Sequence, residues 1–431
     1  MSEFHVSPLK QGWRGTIRVP ADKSISHRAA ILAALAEGDT RIENFLQSET
    51  TRATLNCLRA LGAEIESIDP TTLVVHGRGL HSLREPSDVL FCAGSGTTMR
   101  LLAGVCAGQN FLSILDGAPA LKRRPMARVA EPLRAMGATI LARDDGRLPP
   151  LAIRGASPLR GIDYTLPVAT AQVKSAILLA GLFADSPTTV REPSASRDHT
   201  ERMLRAFGVQ TSIGDSRLEI CVHPISNLQS LTSIAIPSDF SSAAFFIVAA
   251  SLVAQSEIRI ERVGVNATRT GLLDALARMG ARIEIENARE ESGEPVADLI
   301  MRSAELRATQ VSGNEVPRMI DEFPIFAVAA TQARGETVVR DAEELRVKES
   351  DRIATLVQEL RKMGAQIEPR ADGFVIAGPT PLHGARVNAH NDHRLAMSLA
   401  VAGLIARGET VIASWECVAD SFPNFAEALR S

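Results

Sequence analysis

Eight short segments combine cations with hydroxyls, glycines or carboxylates, the residue types that hold phosphate and carboxylate groups and move protons. In Asp22–Arg28 (D-K-S-I-S-H-R), Lys23 and Arg28 fall in the opening turns of a helix predicted to follow a strand. Cations there oppose the helix dipole, and a bound anion would relieve the conflict. In Cys92–Arg100 (C-A-G-S-G-T-T-M-R), Gly94 and Gly96 allow backbone N–H groups close to an anion. The string is neither a Walker loop nor a dinucleotide fingerprint, and a tight strand-to-helix turn would use the same residues. Lys122–Arg123–Arg124 is a local positive patch ahead of a helix expected to open at Pro125, though such runs are often solvated.

Five further segments follow. Thr170–Ser175 and Ser194–Thr200 read as helix starts, the second carrying Arg197. Asp321 precedes an apolar helix that it could cap. If Glu344–Arg352 is helical, Lys348 and Arg352 share a face with Glu349 beside them. In His390–Arg394 (H-N-D-H-R), two histidines stand three apart, but no third ligand is near and no metal is expected.

The elements that must position these residues repeat. L-R-A-L-G-A-E-I at 58–65 returns as L-R-A-M-G-A-T-I at 133–140, and again around Gly208, Gly280 and Gly364, at spacings of 71–84 residues. Each copy reads as an amphipathic helix with a basic last turn, a left-handed glycine cap and a short strand. That period is too long for a solenoid and implies five or six copies of a compact α+β module. Between the joints lie six alanine-rich helices, expected at Ser24–Ala36, Thr97–Ala107, Ala171–Ala184, Ser241–Ala254, Phe323–Ala333 and Asp392–Ala406, each starting after one of the polar loops. Val19-Pro20-Ala21-Asp22 and Ile236-Pro237-Ser238-Asp239 are look-alike strings that serve as candidate hinges.

Composition excludes other classes. With 45% hydrophobic and 23% charged residues the chain is globular. Aromatics at 4% and a net charge of −3 argue against nucleic-acid partners and against an anionic membrane surface. The apolar runs are too short to span a bilayer. Five scattered cysteines suit free thiols in a reducing compartment. The opening M-S-E-F-H-V-S-P-L-K has no signal-peptide run, so a cytoplasmic location is expected.

Taken together and in order, D-K-S-I-S-H-R, G-S-G-T-T-M-R, K-R-R-P-M, A-Q-V-K-S-A, S-R-D-H-T-E, R-V-K-E-S-D-R and N-D-H-R resemble the 5-enolpyruvylshikimate-3-phosphate synthase family over essentially the whole chain. The resemblance implies an α+β, two-domain, inside-out α/β barrel-like enolpyruvyl transferase fold of six βαβαββ units, three per domain. One domain would comprise residues 1–20 plus 237–431 and the other 21–236, with helix N-termini facing a cleft. The implied reaction joins phosphoenolpyruvate to the 5-hydroxyl of shikimate 3-phosphate by addition and elimination, with no cofactor or metal, in a monomer.

The implied roles follow the motifs. Lys23, Ser24 and Arg28 would touch shikimate 3-phosphate, with Lys23 also reaching phosphoenolpyruvate. Gly96, Arg124, Arg352 and Arg394 would bind phosphoenolpyruvate. Thr170, Ala171, Gln172 and Arg197 would surround the phosphate and ring of shikimate 3-phosphate, and Gln172 could reach both substrates. Asp321 would accept the hydroxyl proton, Glu349 would protonate carbon with Lys23 as rival, and Lys348 would hold shikimate 3-phosphate. Some members carry a lysine near the C-terminus where this chain has Asp420, which is not expected to be a ligand. Two other readings stand beside this one. A UDP-N-acetylglucosamine enolpyruvyl transferase would bring a reactive loop cysteine, absent from Lys122–Arg124. An RNA 3′-phosphate cyclase-like protein would need a catalytic histidine such as His27 or His393.

Overall fold

The computed structural model of the chain describes residues 2–9, 11–214 and 218–430. The chain divides into two compact units. The first comprises Met1–Pro20, Pro237–Glu290 and Pro295–Ser431, and the second Ala21–Ile236 with Glu291–Glu294. Residues Glu291–Glu294, inside the 237–431 stretch, thus fall with the second unit, where Ser292 accepts from Ala235 N and Gly293 O from Arg202.

One strand order recurs. In the second unit Leu90–Phe91 runs parallel to Leu112–Asp116, which pairs antiparallel with Leu148–Arg154, and that in turn with Thr139–Ala142. Asp163–Thr165, Thr188–Arg191, Glu219–Val222 and Thr211–Ile213 repeat the pattern. The third sheet of this unit centres on Ala36–Glu43 and Thr72–Arg78. In the first unit, Gln310–Val311, Gly335–Val339, Gly373–Gly378 and Gln366–Arg370 follow the same order. Arg14–Ile17, Glu257–Gly264, Glu294–Arg302 and Arg282–Glu291, which lie in the first unit except for Glu291 and Glu294, also follow it. The remaining sheet has three strands, with Glu3–Val6 antiparallel to Thr410–Ala413. Aromatic rings gather beside it, Phe4 on Trp415 at 4.1 Å and Phe246 against Trp13, Phe422 and Phe425.

The five repeated joints fold as their sequence implies. Gly62, Gly137, Gly208, Gly280 and Gly364 have φ between +82° and +113°, a region costly for a residue with a Cβ. The recurrent arginine does more than face the helix dipole. Arg59 donates to Ile65 O, Arg134 to Ile140 O and Arg361 to Ile367 O, so each ties the helix end to the strand that follows.

The alanine-rich helices are Lys23–Leu35, Gly96–Ala107, Ala171–Gly181, Phe240–Leu252, Phe323–Thr331 and His393–Ile405. Nearly every residue past the first turn is buried, which is why their sequence is apolar all round rather than striped. Small residues permit close approach. A Cβ on Gly104 would lie 2.2 Å from Ala176 O of the neighbouring helix. Asp22, Ser95, Asp239 and Asp392 cap four of these helices by accepting backbone N–H bonds, whereas Thr170 and Glu322 do not cap theirs.

Two expectations need correction. Glu344–Arg352 is not one helix: a 3₁₀ turn covers Glu343–Val347, Lys348 is extended, and the α-helix begins at Arg352 behind its cap Asp351. Asp351 Oδ1 accepts from Ala354 N and Oδ2 from Arg346, so the cap stops the helix from running back through the motif. The helix after Lys122–Arg124 opens at Ala127, not at Pro125.

Candidate active site

In the second unit three helix starts are tied together. Arg28, only 4% exposed, donates from Nε to Thr200 Oγ1 at 2.6 Å, from Nη2 to Ser175 Oγ at 2.7 Å and from Nη1 to Ser24 O at 3.0 Å. Burial pulls its pKa down to about 10, which leaves a cation at neutral pH. Lys23 and Ser24 are half-buried in the first turn of the same helix. The buried cap Asp22 already supplies a carboxylate to that terminus, a partner that reading the two cations alone left out.

A second tie runs through His27. Its Nδ1 meets Thr54 Oγ1 at 2.7 Å, Thr54 meets Thr98 Oγ1 at 2.7 Å, and Thr98 donates to Ser95 Oγ at 2.7 Å. The imidazole thereby connects the Lys23–Leu35 helix to the cap of the Gly96 helix. Burial, with Lys23 and Arg28 nearby, pushes the His27 pKa from 6.5 down to about 3. The folded chain keeps His27 neutral, while an unfolded histidine takes up a proton. Stability from this site is complete above pH 6.5 and is lost as the pH falls toward 3. His27→Gln is expected to remove about one proton, roughly 1.4 kcal/mol per pH unit, from the slope of stability between about pH 6 and 4. Urea midpoints measured across that range check this, and an unaltered slope would mean the folded imidazole is protonated there.

The third tie is Gln172. Its Oε1 accepts from Arg100 Nη1, and its Nε2 donates to Thr97 Oγ1 at 2.9 Å. Arg100 also donates to Pro125 O at 3.2 Å. A Cβ built on Gly96 would lie 2.9 Å from Arg124 Nη1 and 3.1 Å from Arg100 Nη1, so both guanidinium groups crowd the start of that helix. Arg100 closes the G-S-G-T-T-M-R string, and its role here does not follow from the string alone. Its place four residues after Gly96, one helical turn on, was the available signal. The basic run separates: Lys122 pairs with Asp116 at 2.7 Å, Arg123 is exposed, and Arg124 turns toward Gly96. Thr170, Ala171 and Arg197 are half-buried, and the Arg197 charge is close enough to oppose that of Arg28.

In the first unit the site gathers on Arg352, a guanidinium 2% exposed. It meets Glu349 at 2.7 Å, Asp392 at 2.8 Å and Asp321 at 3.3 Å. Arg394 meets the other oxygen of Asp321 at 3.3 Å. Burial works against the charge on Arg352, but Asp392, Glu349 and Asp321 together raise its pKa above the ordinary value. Asp321 is therefore an ion-pair partner and not a helix cap. Lys348 is half-buried in the extended stretch ahead of Arg352. Asp392, fully buried, was missed as a site residue. It caps the Arg394 helix through Arg394 N and holds Arg352 with the same carboxylate. Behind it, buried Glu359 accepts from His390 Nε2, Lys362 and Asn388 N, which fixes the turn into N-D-H-R. Among the described residues no group of three His, Cys, Asp or Glu could hold a metal ion, and no helix is long and apolar enough to cross a membrane.

Sheets of one recurring strand order around buried helices match the fold of a solved enolpyruvyl transferase. The solved enolpyruvyl transferase NikO of Streptomyces tendae superposes with a TM-score of 0.79, covering 99% of this chain and 96% of its own, and at 19% identity that match speaks for the fold. The EPSP synthase (3-phosphoshikimate 1-carboxyvinyltransferase) family model matches residues 10–429, and the chain belongs to that family. The EPSP synthase of Acinetobacter baumannii superposes at TM-score 0.88 with 43% identity, covering 99% of this chain and 97% of that one. The 3-phosphoshikimate 1-carboxyvinyltransferase of Desulforudis audaxviator (strain MP104C) is 54% identical over 426 residues, covering 99% of this chain and 98% of its own. That of Gloeobacter violaceus (strain ATCC 29082 / PCC 7421) is 54% identical over 427 residues, with the same coverage.

Proposed function

We propose that the protein transfers the enolpyruvyl group of phosphoenolpyruvate to the 5-hydroxyl of shikimate 3-phosphate, releasing phosphate, in the penultimate step of chorismate synthesis. The observation that carries this reading is the pair Asp321 and Glu349 held on one buried guanidinium, two carboxylates at family motif positions. Addition followed by elimination needs a base at the attacking hydroxyl and an acid at the methylene carbon.

In the addition step Asp321 takes the 5-hydroxyl proton as the oxygen bonds to C2 of phosphoenolpyruvate. The C2–C3 π pair takes a proton from Glu349, with Lys23 as the rival donor, and a methyl group forms. The tetrahedral adduct then gives back a proton from that methyl as the C2–O bond to phosphate breaks. Lys23, Ser24, Arg28, Thr170, Ala171, Gln172, Arg197 and Lys348 hold shikimate 3-phosphate in this reading. Lys23, Gly96, Arg124, Arg352 and Arg394 hold phosphoenolpyruvate, and Arg100 joins them by its place beside Gly96 and Gln172. Two polyanions explain why a chain of net charge −3 concentrates cations at these helix starts. We place the reaction in a cytoplasmic monomer that needs no metal or redox cofactor.

The test is phosphate release from phosphoenolpyruvate by the purified chain. Release is expected only when shikimate 3-phosphate is added. Release with UDP-N-acetylglucosamine instead, or none with either acceptor, would overturn the assignment.

A further inference from the structure

We propose that Lys174, Glu192 and Glu201 form a buried positioning triad that sets the Ser196–Arg197 loop and Arg28 for shikimate 3-phosphate. The proposal rests on the reading above that Arg28 and Arg197 bind that substrate. Lys174 belongs to the A-Q-V-K-S-A string, yet no role attaches to it there.

The geometry is that of a clamp. Lys174 lies on the Ala171–Gly181 helix, two residues after Gln172. Its Nζ meets Glu192 Oε2 at 2.6 Å and Glu201 Oε1 at 2.7 Å. All three residues are at most 4% exposed. Glu192 follows the strand Thr188–Arg191, and Glu201 sits in the first turn of the His199–Ala206 helix, so the triad spans the base of the loop between them. Ser196 is held at every polar atom. Its Oγ donates to Glu192 Oε1, its N donates to Glu192 Oε2 at 3.4 Å, and its O accepts from Lys174 Nζ at 3.5 Å. Arg197 is the next residue, so its backbone origin is fixed by these bonds.

The neighbouring residue on each helix reaches Arg28. Ser175 Oγ and Thr200 Oγ1 lie 2.6 Å apart, and each also accepts from the Arg28 guanidinium. Lys174–Glu201 and Ser175–Thr200 are thus consecutive rungs between the same two helices. Two carboxylates face one ammonium, and burial raises the Glu201 pKa while the Lys174 charge opposes that rise. Glu201 Oε2 has no hydrogen-bond partner among the described residues, and the Glu201 charge is the leading attraction acting on Arg28. The Glu201 carboxylate thus acts against the mutual repulsion of Arg28 and Arg197. Burying three charges is costly, and a purely structural staple could be apolar at less expense. Charge is required if the cluster must fix a polar loop and hold a second cation.

Initial rates, circular dichroism and thermal melts of Ser196→Ala, Lys174→Met, Lys174→Arg and Arg197→Ala test this. Ser196→Ala leaves the triad intact and is expected to raise the KM for shikimate 3-phosphate by about ten-fold, the size of one hydrogen bond to a charged group. The KM for phosphoenolpyruvate should barely change, and the melting temperature should fall by about 3–12 °C, because the buried Glu192 Oε1 loses its bond from Ser196 Oγ. Lys174→Met should raise the same KM at least as far, Lys174→Arg should recover most of it, and Ser196→Ala should add little in the Lys174→Met background. If Lys174→Met does not fold, Ser196→Ala decides alone. An unchanged KM for shikimate 3-phosphate in Ser196→Ala, while Arg197→Ala raises it, refutes the triad and spares the substrate reading. An unchanged KM in Arg197→Ala refutes the assignment of Arg197 and the triad's role with it.

Discussion

Asp321→Asn is expected to lower kcat by about 10²–10⁴-fold, the range supplied by a positioned general base. The substitution keeps the shape of the side chain and removes its capacity to take a proton together with its charge. The effect should fall mainly on kcat, because Arg352 keeps other partners, although Arg394 loses the carboxylate it meets at 3.3 Å. Arg352 retains Asp392 at 2.8 Å and Glu349 at 2.7 Å. For the same reason the fold should tolerate the change, and a melting curve close to the parent separates lost chemistry from lost structure. Turnover above roughly a tenth of the parent value would fall short of the base effect and move the proton to another acceptor.

Arg352→Met carries the largest expected stability loss, about 3–5 kcal/mol, because it breaks a buried ion cluster from the cationic side. Asp392 is fully buried and loses its bonds from Arg352 Nε at 2.8 Å and Nη2 at 3.4 Å. The capping bonds from Arg394 N and Leu395 N remain, but they do not supply a compensating charge. For a unit of about 200 residues such a loss lowers the melting temperature by roughly 6–20 °C. Calorimetry checks it. Adding Asp392→Leu should restore part of the loss, since the orphaned charge goes with it and the two sites are coupled. A single variant that melts like the parent would show that Asp392 and Glu349 do not depend on this guanidinium.

The sequence exposed the backbone elements more fully than the partners of the side chains they carry. Gly62, Gly137, Gly208, Gly280 and Gly364 were legible because a left-handed cap leaves a local signature, and all five are left-handed in the structure. The six alanine-rich helices were legible within one to three residues at most ends, since burial on all sides leaves a long apolar run. The Glu344–Arg352 stretch misled. Its charge spacing suits a helix, but Asp351 accepts Ala354 N and starts the helix later. Arg100, Asp392 and Lys174 lie inside recognisable motifs, but nothing local in those strings marks what they bind. Their partners Gln172, Arg352 and Glu192–Glu201 lie 72, 40, and 18 to 27 residues away in the chain.

The amino-acid order alone determined the repeat, its joints, the buried helices and the inventory of cations and carboxylates, because each is written in contacts spanning a turn or two of chain. Tertiary structure decided which charges meet. It sent Lys122 to Asp116 and Arg124 to Gly96, and it gathered Asp321, Glu349 and Asp392 on Arg352. The physical reason is that an ion pair in a dry interior depends on distance and desolvation, and neither is a property of neighbours along the chain.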